Sequence, residues 1–100
     1  GDVRVEPSAP RPLCLLNTPE QIGVIVSPSQ DREGRPVLFN RNGKVHRLTQ
    51  AIGPERICGQ WWDGRNKTRD YFDVEDDAGR RFWIFRVLQT WTWYLHGRFE

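Results

Sequence analysis

Five carboxylates crowd one short stretch of the chain: Asp70, Asp73, Glu75, Asp76 and Asp77. In an extended strand Asp73 and Glu75 fall on one face, the arrangement by which paired acids hold Mg²⁺ or share acid–base work. Arg80 and Arg81 follow just beyond a turn, however, and pairing across that turn predicts ion pairs rather than a metal site. His46 and His96 each lack a metal-ligand partner at a short interval. His46 is expected to be a solvated strand residue, and His96 a structural hydrogen-bonding group near the end of the chain. Cys14 and Cys58 are too few for a disulfide-dense scaffold or a four-thiolate zinc site, and each is expected to behave as a small buried apolar residue. The sequence contains no glycine-rich phosphate loop, no Gly-x-Ser-x-Gly elbow and no His-Glu-x-x-His pair. No catalytic residue, metal site or cofactor is therefore predicted.

Charge and aromatic placement suggest binding instead. Residues 34–54 carry no acid but include Arg35, Arg41, Lys44, His46 and Arg47. Residues 78–99 again carry no acid, and there Arg80, Arg81, Arg86 and Arg98 are interleaved with seven aromatic residues. Bases stack on rings while cations track phosphates, so Arg41, Lys44 and Arg47 are candidate nucleic-acid contacts. Most of the aromatics are expected in the core. Tyr71, Trp83 and Phe85, with Arg81 beside them, are the candidates for a protein contact surface, and Trp91 and Trp93 for its extension.

The elements that must position these groups read as strands. No 11-residue stretch shows helical apolar spacing, whereas short apolar runs are punctuated by Gly, Pro, Asn and Asp. Strands are expected at 13–16, 22–26, 37–40, 44–52, 69–75, 80–87 and 90–95, with an ordered loop over 53–65. Such a set predicts an all-β domain, a small barrel or compact sandwich of about 5–7 short antiparallel strands, since closure removes exposed edges.

Two hairpins can be set in register. A turn through Asp77-Ala78-Gly79 pairs Glu75 with Arg81, Val74 with Phe82, Asp73 with Trp83, Phe72 with Ile84, Tyr71 with Phe85 and Asp70 with Arg86. Unlike charges face one another and no like charges do, which supports that register. Alternation then puts Phe72, Val74, Phe82 and Ile84 on one core face. The opposite face, with Tyr71, Trp83 and Phe85, is either covered or a contact surface. In the second hairpin a two-residue Asn42-Gly43 turn would oppose Arg41 and Lys44. A three-residue loop over 41–43 that pairs Phe39 with Val45 is expected instead, and the burial of Leu38 against Phe39 stays open.

With 15 Lys+Arg against 13 Asp+Glu, the 100-residue chain has a net charge of +2. That excess is too small for strong nucleic-acid binding unless the cations cluster. One domain is the limit at this length. Residues 1–12, with three prolines and little apolar pattern, read as an extended arm, and residues 13–100 as a single domain. Gly1, with no methionine before it, suggests a piece of something longer. Lacking a signal-peptide pattern or a run long enough to span a bilayer, a cytoplasmic protein without a membrane partner is expected.

The strings GPERICGQWW, RDYFDVEDDAGRRFWIFR and WYLHGRF, with the opening RPLCLLNTPEQI, resemble the C-terminal domain of ImuB-type proteins. These are Y-family DNA polymerase homologues of bacterial mutagenic repair systems. The resemblance runs from about Arg11 to Phe99 and is densest over 69–86 and 93–97. Arg98 departs from it, where an apolar residue is expected. The resemblance implies a role in assembly rather than a reaction, because such proteins commonly lack the catalytic carboxylates. They join an error-prone replicative-type polymerase, a RecA-like partner and the sliding clamp. The expected partners are thus other subunits of a mutagenic polymerase complex, with single-stranded DNA or a primer–template as the alternative. No glutamine here begins a good match to a clamp-binding peptide, so clamp binding through these residues is not expected.

Overall fold

The strand-forming runs pair in chain order, and the last pairs with the first. A computed structural model describes residues 13–28, 34–60 and 64–99. Its strands are β1 (Leu13–Ser27), β2 (Arg35–Arg41), β3 (Lys44–Gln60), β4 (Asn66–Asp76), β5 (Arg81–Val87) and β6 (Thr92–Phe99). Each antiparallel neighbour is the next in sequence, and β1 closes on β6 to complete a barrel. Closure gives every strand a neighbour on both sides along part of its length, so no strand of the ring is an edge strand as in an open sheet. Among the described residues there is no helix. The expected arm at 1–12, with Trp61 and Trp62, lies outside the described residues.

The β4–β5 register matches the pairing expected from the sequence at every position from Asp70–Arg86 to Glu75–Arg81. Gly79 closes the turn with φ 84°, a conformation that a Cβ would oppose. The β2–β3 expectation is corrected. Arg41 pairs with Lys44, and Phe39 pairs with His46, around a two-residue Asn42-Gly43 turn. Both turn residues have positive φ, 53° and 82°, as a twisted two-residue hairpin requires. The like-charge pair is tolerated because Glu20 on β1 reaches across and receives Arg41 Nε and Nη2, each at 3.1 Å. Phe39 thereby faces inward and is fully buried, while Leu38 is half-buried.

Further boundaries differ from expectation, among them the last strand, expected at 90–95 and found at Thr92–Phe99. The two runs at 13–16 and 22–26 are parts of one bent strand, β1, whose pairing with β6 breaks between Leu15 and Glu20. The expected loop over 53–65 is in its first part the far half of β3, paired with β4 from Glu55–Tyr71 to Gln60–Asn66. The Gly-Pro signal marks a bulge between Ile52 and Glu55 rather than a strand end. A Cβ at Gly53 would meet Tyr71 O at 2.6 Å, so the close approach of β4 there needs glycine.

The interior holds Ile22, Phe39, Phe72, Val74, Phe82, Ile84, Trp93 and Leu95. Contributions come from five of the six strands, with Leu48 and Ala51 of β3 packed against them. The predicted core face of Phe72, Val74, Phe82 and Ile84 is therefore correct.

Candidate functional site

Three surfaces follow from this alternation: a wall of β4–β6, a wall of β1–β3 and one mouth of the barrel. The outer wall of β4–β6 carries the predicted aromatic face, and the structure corrects its role. Tyr71 and Phe85 are 3% and 0% exposed, so neither is available as a surface contact. Their cover comes from neighbours on the same wall. Trp83 stacks on Tyr71 with centroids 4.2 Å apart and lies nearly parallel to His96 at 5.2 Å, while Tyr94 stacks on Phe85 at 5.4 Å. Val87 and Ile57 complete the cluster. Such ring pairs add to area burial, so an outward-facing set of rings becomes a second small core.

Hydrogen bonds lock that wall. Arg69 Nη1 donates to Tyr71 Oη at 3.1 Å, and the phenol lies 2.9 Å from His96 Nδ1. Because the guanidinium can only donate, the Tyr71 O–H is free to donate in turn to His96, which is then neutral. Burial, and secondarily the nearby Arg69 charge, push the His96 imidazole below its ordinary value. Burial likewise raises the Tyr71 phenol. His96 is thus a structural hydrogen-bonding group, as expected. Arg81 is engaged with Asp73 and lies over the Phe99 ring at 4.4 Å.

Trp93 is also corrected, since it faces the interior and packs on Phe72 at 5.6 Å. It sandwiches Arg86 with Trp91, each ring centroid 5.0 Å from the guanidinium. Behind this sandwich Asp70 is fully buried, 3.7 Å from Arg86 and bonded to Arg56 at 2.8 and 2.9 Å. The Arg56 hydrogen bonds lower the Asp70 carboxyl despite its burial. Trp91 remains exposed, with a left-handed φ of 57°, uncommon for a bulky residue.

The outer wall of β1–β3 is different. Ile25, Leu38 and Arg47 lie in register across the three strands, and Gly23, Asn40 and Val45 form the next row. Ile25 is 58% exposed and Val45 49%, with Val26 and Val37 also exposed beside the β1 bulge. No sequence signal marked these aliphatics, because Val, Ile and Leu in a strand read equally as core. Only the register tells which face they take.

At one mouth of the barrel, a cleft of about 550 Å³ is lined by Arg41, Lys44, Arg80, Arg81, Arg98 and Phe99. Its floor is His46 and Phe82, 5.0 Å apart and edge to face. The expectation of a solvated His46 is overturned. It is buried, stacked on Phe39 at 4.5 Å, with Nδ1 2.9 Å from Asp76 Oδ2. Asp76 also accepts from the backbone N–H groups of Ala78 and Arg80 and from Arg80 Nε. Burial alone would raise this carboxyl, but the His46 and Arg80–Ala78 hydrogen bonds outweigh it and hold it at about 2.

The predicted basic trio is split by this geometry. Arg41 and Lys44 line the mouth, whereas Arg47 sits on the outer wall with Ile25 and Leu38. The carboxylates are split too. Asp70 and Asp76 face inward, and Asp73 and Glu75 share the outer face with Arg81. Both cysteines are exposed, against expectation. Cys14 lies at the open start of β1, and Cys58 on the part of β3 that extends past the core, 3.7 Å from Thr68 Oγ1.

Comparison with known proteins agrees with the strings that carried the resemblance. No family model matches the chain, and no solved structure matches it. Protein ImuB of Caulobacter vibrioides is 41% identical over 109 aligned positions, in strains NA1000 / CB15N and ATCC 19089 / CIP 103742 / CB 15 alike. The alignment takes in 96% of this chain but only 23% of that relative. Over nearly its whole length, then, this barrel is similar in sequence to a stretch of Protein ImuB, and it spans about a quarter of that relative's length.

Proposed function

We propose that this barrel is a non-catalytic protein-interaction domain of an ImuB-like Y-family polymerase homologue. In that reading it helps assemble an error-prone translesion synthesis complex in the cytoplasm after DNA damage. The observation that carries it is the open aliphatic wall of Ile25, Leu38 and Val45, flanked by Arg47. Exposed aliphatics sharing one sheet face, with a cation beside them, fit the anatomy of a contact surface. Nothing in the interior pairs asks for a reaction: His46, Asp76, Asp70 and Arg86 hold one another and the rings around them. The partners are other subunits of the mutagenic complex, the error-prone polymerase or the RecA-like protein that the resemblance implies. Titration of each purified subunit against the barrel tests the reading. Ile25→Gln/Val45→Gln should weaken one of them at least tenfold, about 1.4 kcal/mol, with the fold intact. Unchanged binding of both subunits would refute it.

A further inference from the structure

The open mouth of the barrel gathers cations from three separate elements. Arg41 and Lys44 come from the β2–β3 hairpin, Arg80 and Arg81 from the β4–β5 hairpin, and Arg98 from the end of β6. Among the described residues no carboxylate lines the cleft. The acids that do approach these cations stand behind them. Glu20 holds Arg41, Asp76 holds Arg80 through Nε, and Asp73 holds Arg81. The guanidiniums of Arg41, Arg80 and Arg81 are oriented by carboxylates outside the lining, and each has five N–H donors, more than those contacts use. Lys44, on the exposed hairpin, makes no ion pair among the described residues. Pre-oriented guanidinium forks on facing rims match the spacing and planarity of phosphate oxygens.

The cleft also offers a ring. Phe99 lies at the rim with the Arg81 guanidinium over its face. At about 550 Å³ the space falls within the range of small-ligand sites, roughly 300–1,000 Å³. Among the described residues no helix stands at this concave end of the barrel to enter a duplex groove, so the form it accommodates is an unstacked strand.

We infer that this mouth binds the phosphodiester backbone of single-stranded nucleic acid, with Arg41, Lys44, Arg80 and Arg98 on the phosphates and Phe99 beside a base. The site uses none of the side chains of the Ile25–Val45 wall and stands or falls apart from the protein-contact reading. Fluorescence anisotropy with a labelled oligothymidylate, over a series of salt concentrations, tests it on the chain itself. With about four phosphates engaged, the logarithm of affinity should fall against that of salt with a slope near −3. Lys44→Gln and, separately, Arg98→Gln should each flatten that slope by about 0.7. Ile25→Gln/Val45→Gln should leave it unchanged. A matched duplex and polyglutamate serve as competitors, both expected to compete poorly. The inference is overturned if the oligonucleotide fails to bind at low salt or if the two charge variants keep the parent slope. It is equally overturned if polyglutamate displaces the strand as well as unlabelled oligothymidylate does, since the mouth would then be a general polyanion surface.

Discussion

The two outer walls of one barrel handle apolar side chains in opposite ways. On β4–β6 the large outward apolar residues are mainly aromatic, and they bury one another: Trp83 on Tyr71, Tyr94 on Phe85, with Arg69 and His96 satisfying the phenol. On β1–β3 the outward apolar residues are aliphatic, set among Gly23, Asn40 and Arg47, and Ile25 and Val45 stay open to solvent. Rings are broad enough to roof their neighbours across strands about 5 Å apart, whereas branched aliphatics are too short to do so. The wall that looks richest in binding residues is therefore the one already closed, and the plainer wall is the one left open to solvent.

The largest separation between the walls should appear in stability. Phe85→Ala removes the fully buried ring at the centre of the closed wall and is expected to cost about 4 kcal/mol. Ile25→Ala on the open wall should cost less than about 0.5 kcal/mol. Urea unfolding of both variants checks the pair, and equal losses would erase the distinction.

Acid should act on the closed wall before the interior. The folded His96 pKa lies below its ordinary 6.5, so the stability it contributes is complete above that value and is lost as pH falls through the folded pKa. Asp76 follows at lower pH. Its carboxyl is held at about 2 against an ordinary 3.8, so a contribution of roughly 2 kcal/mol persists above pH 4 and is lost on the way down to pH 2. Thermal unfolding from pH 8 to 2 should show both steps. His96→Gln should remove the first, and Asp76→Asn should shrink the second, leaving the share due to Asp70.

A smaller effect is expected from Tyr71→Phe, which keeps the ring stack but leaves Arg69 and His96 without the phenol. A loss of about 1 kcal/mol is expected, measured by the same unfolding titration. No loss would mean that packing alone closes this wall.

How much of this was readable beforehand varies with how local the determinants are. The β4–β5 register was legible because a tight turn at Gly79 and unlike charges on facing positions agree with one another. The β2–β3 register was not, since the residue that relieves the Arg41–Lys44 repulsion is Glu20, on another strand. His46 looked solvated for the same reason: the acid that holds it lies on β4, 30 residues along the chain. The Gly53-Pro54 pair looked like the start of a loop, because a bulge uses the same residues as a strand end. Alternation correctly set Tyr71, Trp83 and Phe85 apart from the core face, but it reports direction and not cover. Whether outward rings are roofed depends on Tyr94 and His96 arriving from β6. The basic mouth was half visible, with Arg41 and Lys44 on one hairpin, while Arg80 and Arg98 join them only once the barrel closes.

We propose that the open wall, and not the aromatic one, meets the partner subunit. The most direct test is isothermal titration of that subunit into two variants side by side. Trp83→Ala should destabilise the barrel yet bind within about twofold of the parent, and Ile25→Gln/Val45→Gln should fold normally yet bind at least tenfold more weakly, about 1.4 kcal/mol. The reverse pattern, binding lost with Trp83 and kept without Ile25 and Val45, would place the contact on the aromatic wall instead.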